Sequence, residues 1–441
     1  MAQHSPVGGG RPSFLLPDIS KEKIKKYIDK VHKSGMEFSY LLNAPCMNNM
    51  EYNPEYYRKL IDYIQWIVDV GADSVIVTIP FLIQVIKKQF PDLKVRVSTI
   101  AHVNSVNRAK FFESLGADEI TPDVMINRDF KTLENIQKSF NGKIILLLTD
   151  GCLFQCPFRY YHYNILGHAS QTNQQFGRNY IDSCILNCSI IKFSNPAEVL
   201  KARWVRPEDL KYYEDIGITN FKIAGRRMST EWIVRSVKAF SERKYDGNLI
   251  DIIQGFSMSF GGLEKKDPNI RLTDTIGKEQ SAKLYIDNSK LDGFLNFFKN
   301  QNCNALCEEC NYCVEWAKKA VIVNEERSKK YVNSIQSYLE DLTSGREFGI
   351  GVEEGPQDEN KKKGLKWDSE TAALYEKLIL LTPEQFRSMA RIAIGNLAEE
   401  KAKKRGGTEV KNEDMVAAFI EGTPGPFQED MRDGLKKYDL L

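Results

Sequence analysis

The sequence predicts an α/β protein built on a TIM-like (β/α) barrel, incomplete or irregular, with a cysteine-rich insertion and a small all-α C-terminal domain. Three observations carry this. Between residues 19 and 250, short β-branched runs alternate with helical patterns, as in parallel βα units. The stretches "VGADSVIV", "LGADEITP" and "IGITNFKI" each place glycine at a helix end, then a turn, then a strand. No Gly-x-Gly-x-x-Gly follows the first strand, which weakens the alternative of an open, doubly wound dinucleotide-binding sheet.

The elements follow in order. Residues 1–18 read as a disordered lead-in, with no export signal. "ISKEKIKKYIDKVHKSG" is a helix ending on glycine, and "MEFSYLLNAP" a strand running into a loop. The alternation continues with "YYRKLIDYIQWIVDVGA" and "DSVIVTIP", "PFLIQVIKKQF" and "LKVRVSTIAHV", "SVNRAKFFESLGA" and "DEITPDV", "FKTLENIQKSFNG" and "KIILLLT". An insertion at 151–203, polar, aromatic and with few periodic segments, interrupts it at a strand's end, where barrel enzymes assemble their sites. "RPEDLKYYEDIG", "NFKIAG" and "TEWIVRSVKAFSERK" then complete the core at 250. Residues 251–343 form an extension whose last part, "CVEWAKKAVIVNEERSKKYVNSIQSYLEDL", reads as one long helix. Glycine and charge mark 344–366 as a linker, and 367–441 looks wholly helical. Within that last domain, "KAKKRGG" (401–407) reads as a solvated helix end complementing the helix dipole rather than a nucleic-acid contact.

Composition narrows the function classes. A net charge of +2 over 441 residues implies no overall pull toward nucleic acid or a membrane surface. No apolar run approaches the ~18 residues that span a bilayer. A cytoplasmic protein acting on a small molecule is the expectation. In that compartment nine cysteines point to metal or redox chemistry rather than disulfides. Eight of the nine fall in tight groups; only Cys46, in "NAPCMNN", stands alone, either as a partly buried thiol or as an extra ligand.

Cys152 and Cys156 in "GCLFQCPFRYYHYNILGH" and Cys184 and Cys188 in "DSCILNC" form two Cys-x-x-x-Cys pairs. Four thiolates suit an iron–sulfur cluster or zinc. The three-residue spacing, wider than the zinc knuckle, and the place at a barrel mouth favour the cluster. A catalytic thiol would need a base, for which His162 and His168 are available. Cys303, Cys307, Cys310 and Cys313 in "CNALCEECNYC" are a denser run, resembling ferredoxin-type ligation. Spacing leaves open whether they hold a second centre, lend ligands to the first, or form a redox-sensitive loop. Polar residues at strand ends, Asn43, Thr78, Ser98, His102, Asn104, Asp150, Lys222 and Arg226, would share one rim in a parallel barrel. His102 and Asp150 are candidate catalytic groups there, and Lys222 with Arg226 could hold a carboxylate or phosphate.

"GADSVIV", "PDLKVRVSTIAHVNSVNRAKFFESLGADEI" and "WVRPEDLKYYEDIGITNFKIAGR" resemble the U32 peptidase family over roughly residues 35–250. Despite its name, that family includes oxygen-independent hydroxylases acting in ubiquinone synthesis and on tRNA and ribosomal RNA bases. The resemblance therefore implies a barrel-like fold and a [4Fe-4S] cluster at Cys152, Cys156, Cys184 and Cys188. Some of those hydroxylases take oxygen from prephenate, a dicarboxylate that would suit Lys222 and Arg226. This chain departs from the family's His-Gly-Ala-x-Cys after the central strand, having Thr149-Asp150-Gly151-Cys152. Residues 367–441 resemble the small helical domain ending a dark-operative protochlorophyllide reductase subunit, which implies contact with a redox partner or a tetrapyrrole. Two rivals to a hydroxylase remain. One is a peptidase, although neither Gly-x-Ser-x-Gly nor His-Glu-x-x-His occurs. The other is a non-enzymatic electron-transfer protein.

Overall fold

The computed structural model describes residues 5–9, 19–171, 181–225, 228–255, 284–300, 303, 306–346, 365–382, 387–423, 428–438 and 440–441. Arg226 and most of the expected linker lie outside them. The chain divides into two compact units, Met1–Leu339 and Glu340–Leu441. No helix among the described residues is long and apolar enough to cross a membrane.

In the first unit, helix α1 (Lys21–Lys33) leads into β1 (Ser39–Leu42). There follow α2 (Pro54–Asp69), β2 (Ser74–Val77), α3 (Pro80–Gln89), β3 (Lys94–Val97), α4 (Val106–Ser114), β4 (Glu119–Ile120), α5 (Phe130–Ser139) and β5 (Lys143–Leu147). The strands pair in parallel and in chain order, and β6 (Asn220–Lys222) joins beyond β5. Sequential parallel order with right-handed crossovers puts every helix on one face, so the sheet curls into a half-barrel. β2 is buried at all four positions, as expected for a strand covered on both faces. The register Leu42↔Val77↔Val97↔Ile120 brings the strand C-termini to one rim.

The three glycine echoes are one device repeated. After α2, Gly71 N donates to Val68 O and Ala72 N to Ile67 O; after α4, Gly116 N donates to Glu113 O and Ala117 N to Phe112 O. Gly217 and Ile218 repeat the pair onto Glu214 and Tyr213. This is a Schellman cap, and all three glycines have φ near +90° (+87°, +96°, +88°), a region closed to most residues. The aspartate that follows two of them also sets the strand register. Asp73 accepts from Phe38 N at 2.6 Å and Asp118 from Val95 N at 2.7 Å, tying each new strand to its predecessor.

Four readings need correction. Ser5 and Val7, in the segment expected to be disordered, are buried: Tyr56 Oη donates to Pro6 O, and Gln171 Nε2 to Val7 O. The described part of the insertion is mostly helical: α6 (Arg159–Ala169), α7 (Ser183–Ser194) and α8 (Ala197–Lys201). α6 and α7 bury the polar Arg159 and Lys192 on their inward sides, so neither shows an amphipathic stripe. After α9 (Leu210–Glu214) and α10 (Thr230–Glu242), the extension supplies β7 (Leu284–Ile286), α11 (Asn296–Asn300), α12 (Cys307–Cys310) and α13 (Tyr312–Ala320). The expected long helix is broken there: Val321–Val323 form β8, antiparallel to β7, before α14 (Glu325–Thr343). Three β-branched residues in a row favour the strand once a partner edge is present. The second unit is not wholly helical either. β9 (Lys366–Trp367) and β10 (Glu409–Val410) pair in parallel beside α15 (Ser369–Ile379), α16 (Arg387–Lys404), α17 (Asn412–Gly422) and α18 (Gln428–Lys436). Its core is built on Tyr375, Leu378, Ile394, Met415 and Phe419. The basic end of α16 is paired: Lys401 with Glu421, Lys404 with Glu400, and Arg405 with Asp414.

Gly217 has open space where a Cβ would go, its nearest neighbour being Gln137 Cγ at 3.5 Å. Gly217→Ala should therefore cost only the left-handed backbone strain, about 1–2 kcal/mol, read as a lower urea midpoint. Gly217→Asn should cost less, and equal midpoints for wild type and Ala would refute the cap.

Candidate functional site

The first three strand ends are laced by side chains. Asn43 Nδ2 donates to Ser98 Oγ at 3.2 Å, and Thr78 Oγ1 donates to Asn43 O at 2.9 Å. These residues are structural crossties at the rim, while Asn104 is exposed. Thr149 Oγ1 bridges β5 to the β6 exit, accepting from Ala224 N and donating to Ala224 O. Asp150 pairs with Gln254 in an isolated parallel bridge and accepts from Cys152 N at 3.1 Å. Lys222 closes β6 half-buried.

His102 lies at the centre of a buried network. It follows β3 with φ of 53°, uncommon for a non-glycine residue, and Arg108 Nη1 donates to its carbonyl at 2.6 Å. Its Nδ1 is 3.0 Å from Asp123 Oδ2, while Arg159 Nη1 reaches Asp123 Oδ1 at 2.6 Å. Burial alone would raise the Asp123 carboxyl; the His102 hydrogen bond, the Arg159 charge and Met125 N–H outweigh it and hold Asp123 below the usual carboxylate range. An ionised carboxylate only accepts, so the His102 Nδ1 must carry a proton. The Tyr160 ring packs 4.4 Å from the imidazole. Burial works against the Arg159 charge, but Tyr163 and Asp123 hold it in place. The sequence reading had His102 but missed Asp123, Arg159 and Tyr163. Asp123 stands just past β4, a strand-end signal in "DEITPDV"; Arg159 and Tyr163 carried none.

The first cysteine group belongs to the insertion that follows β5. Cys184 and Cys188 share a face of α7, one turn apart, and Cys152 and Cys156 lie in the loop before α6. Cys188 is near enough to raise both Cys152 and Cys156, and Cys156 to raise Cys184. Burial pushes the Cys152 thiol well up, Asp150 adds to this, and Lys192 and Arg159 pull the other way. Cys184 is pushed up to about 11, by burial first and then by Asp182. These directions are opposite to those of an activated nucleophilic thiol. Among the described residues no three His, Cys, Asp or Glu side chains close on a common metal-binding point. Cys46 stands apart beyond β1: Asn48 N donates to its sulfur, and its carbonyl accepts from Gln171 Nε2. His162 pairs with Asp182 at 3.1 Å, and burial favours the neutral form of His168.

The second group lies on α12, on the start of α13 and just before them. Cys303, Cys307, Cys310 and Cys313 line one cavity of about 30 Å³ with Lys201 and Phe298. Arg203 Nη2 donates to Cys303 Sγ at 3.4 Å, and its guanidinium lies 3.6 Å over the ring of Phe154 in the Cys152–Cys156 loop.

Residues 15–138 match the family model of peptidase family U32. An uncharacterized protease of Methanocaldococcus jannaschii is 32% identical over 321 residues, covering 72% of this chain and 86% of that protein. The solved structure of the U32 peptidase Mk0906 is 24% identical, covering 40% of this chain and 72% of its own, with a TM-score of 0.35. Profile and relative agree on one assignment: the chain belongs to peptidase family U32.

Proposed function

We propose that the protein is an iron–sulfur enzyme of the U32 type, carrying out an oxygen-independent hydroxylation or related redox modification of a small, anionic or ring-containing substrate. The observation behind it is the four-thiol set Cys152, Cys156, Cys184 and Cys188 in the insertion after β5, which also carries Arg159 of the His102–Asp123–Arg159 network. The donor set suits a [4Fe-4S] cluster, with four thiols from one loop and one helix face. Lys192 and Arg159, whose charges reach Cys152, would offset the thiolates. When bound, such a cluster supplies one-electron redox or Lewis-acid chemistry.

The chain's own residues have separable roles in this reading. Asp123 fixes His102 with Nδ1 protonated, leaving Nε2 as the atom able to take a proton from substrate. Arg159 keeps Asp123 ionised. Lys222 at the end of β6 offers a cation to an anionic substrate group or oxygen donor. A peptidase is the second reading, favoured by the His102–Asp123 pair and by the name of the M. jannaschii relative. It needs a nucleophile or water beside His102, and the upward shift of Cys152 disfavours that thiol.

Anaerobically purified protein should be brown, with acid-labile sulfide matching its iron. A Cys184→Ala/Cys188→Ala chain should lose one centre's iron, and a colourless wild type without iron would end the cluster reading. Asp123→Asn should strand the buried Arg159 charge and cost about 3–5 kcal/mol in urea unfolding. Arg159→Met added to it should recover part of that loss. Because the folded-state value of Asp123 is lowered, its stabilisation is complete above the ordinary carboxylate range, about pH 4. It is lost as pH falls through the lowered folded value. An acid-unfolding curve identical in wild type and Asp123→Asn would contradict this.

A further inference from the structure

The cation arrangement beside the second cysteine group demands an anion. Arg128 and Arg203 are 2% and 3% exposed, yet among the described residues their side-chain hydrogen bonds reach only backbone carbonyls and a thiol. Arg128 donates to Leu200 O and Trp204 O, and its Nε has no partner among the described residues. Arg203 leaves both Nε and Nη1 without partners there. Both guanidinium groups lie 5.3 Å from the ring centroid of Phe298; burial first, and the Arg203 charge second, pull Arg128 down to about 10. Two desolvated like charges with orphaned donors are costly unless a negative group sits between them. Phe154, Phe294, Phe298 and Trp204 supply ring faces to these cations, which soften but do not cancel the repulsion.

The source of the negative group is already in the sequence, as four thiols. Cys313 is half-buried and lines the same cavity as Cys303, Cys307 and Cys310, and Arg203 already donates to Cys303 Sγ. Neutral thiols give these arginines nothing to pair with. Four thiolates around a divalent ion or an iron–sulfur core keep a net negative charge after the metal is counted, and they accept N–H donors at sulfur.

We propose that Cys303, Cys307, Cys310 and Cys313 form a separate tetrathiolate metal centre, whose negative charge is balanced by the buried guanidinium groups of Arg203 and Arg128. The site is distinct from the Cys152–Cys188 group and does not borrow its ligands: all four thiols line one cavity. Arg203 joins the two sites, with one nitrogen on Cys303 and its guanidinium face on Phe154. Arg203 is a positioning residue for both. Zinc and an iron–sulfur cluster share this ligand chemistry, and sulfide content separates them.

The test is metal analysis of the full chain purified without oxygen. Iron, zinc and sulfide are counted per chain in wild type, in Cys307→Ser/Cys310→Ser and in Cys184→Ala/Cys188→Ala. The first variant should lose one centre's metal, as zinc without sulfide or as iron with matching sulfide. It should retain whatever the other cysteines hold. The second variant should keep the Cys303–Cys313 metal, so failure of the U32 cluster reading is seen separately from failure of this one. Unchanged metal in a folded Cys307→Ser/Cys310→Ser chain, or a metal-free wild type, overturns the proposal. Cys310 is exposed, so Cys310→Ser alone supplies the same readout if the double variant fails to fold. Arg203→Met should speed loss of this metal to a chelator by about tenfold or more. An unchanged rate would refute the charge-balancing role.

Discussion

One buried carboxylate organises the functional end of the molecule. Asp123 receives His102 from beyond β3, Arg159 from α6 and Met125 N–H from its own turn. Each partner comes from a different part of the chain, so the bonds join two strand exits to the insertion. Removing a carboxylate from water is costly, and only several strong donors offset it. That requirement places α6, and with it the loop bearing Cys152 and Cys156, over the end of the sheet. The imidazole is held by the same atoms, so the insertion and the candidate proton-transfer group cannot be positioned independently.

The two cysteine groups live in different electrostatic settings. Around the first, Arg159 already has a carboxylate in Asp123, and Lys192 donates to Gly255 O. Around the second, neither arginine has an ion pair among the described residues; Asp209, whose charge reaches Arg128, is taken by Arg206. The Arg206–Asp209 pair, with Asn288 O and Asp292, docks the extension onto the crossover between β5 and β6. The fold thus holds the extension by satisfied ion pairs at one end while leaving uncompensated positive charge by the thiols at the other.

The sheet was legible because its signals are local. Gly71, Gly116 and Gly217 announce helix ends through a backbone conformation that other residues avoid, and each is followed by a run such as Ser74–Val77. The grouping of eight cysteines was equally visible, since spacing survives without tertiary information. α6 and α7 were hidden because Arg159 and Lys192 point inward and blur the helical period. β8 was hidden because Val321–Val323 sits between two good helices, and only the edge of β7 makes it a strand. Asp123 and Arg159 lie 36 residues apart, and nothing along the chain signals that they meet. Arg128 and Arg203 escaped for the same reason: an arginine in sequence looks solvated until its neighbours are known.

The buried segment Ser5–Gly9 has a consequence for how the chain is made. Gly9 N donates to Ser170 Oγ, Gln171 Nε2 donates to Val7 O, and Ser5 bridges Gln171 in parallel. The partners are some 160 positions away. On a ribosome adding about 5–20 residues per second, Val7 waits roughly ten seconds or more for α6 to emerge. Val7 is therefore synthesised well before the residue that holds it in place. Closing that contact must wait for α6, and so for the loop bearing Cys152 and Cys156 that precedes it.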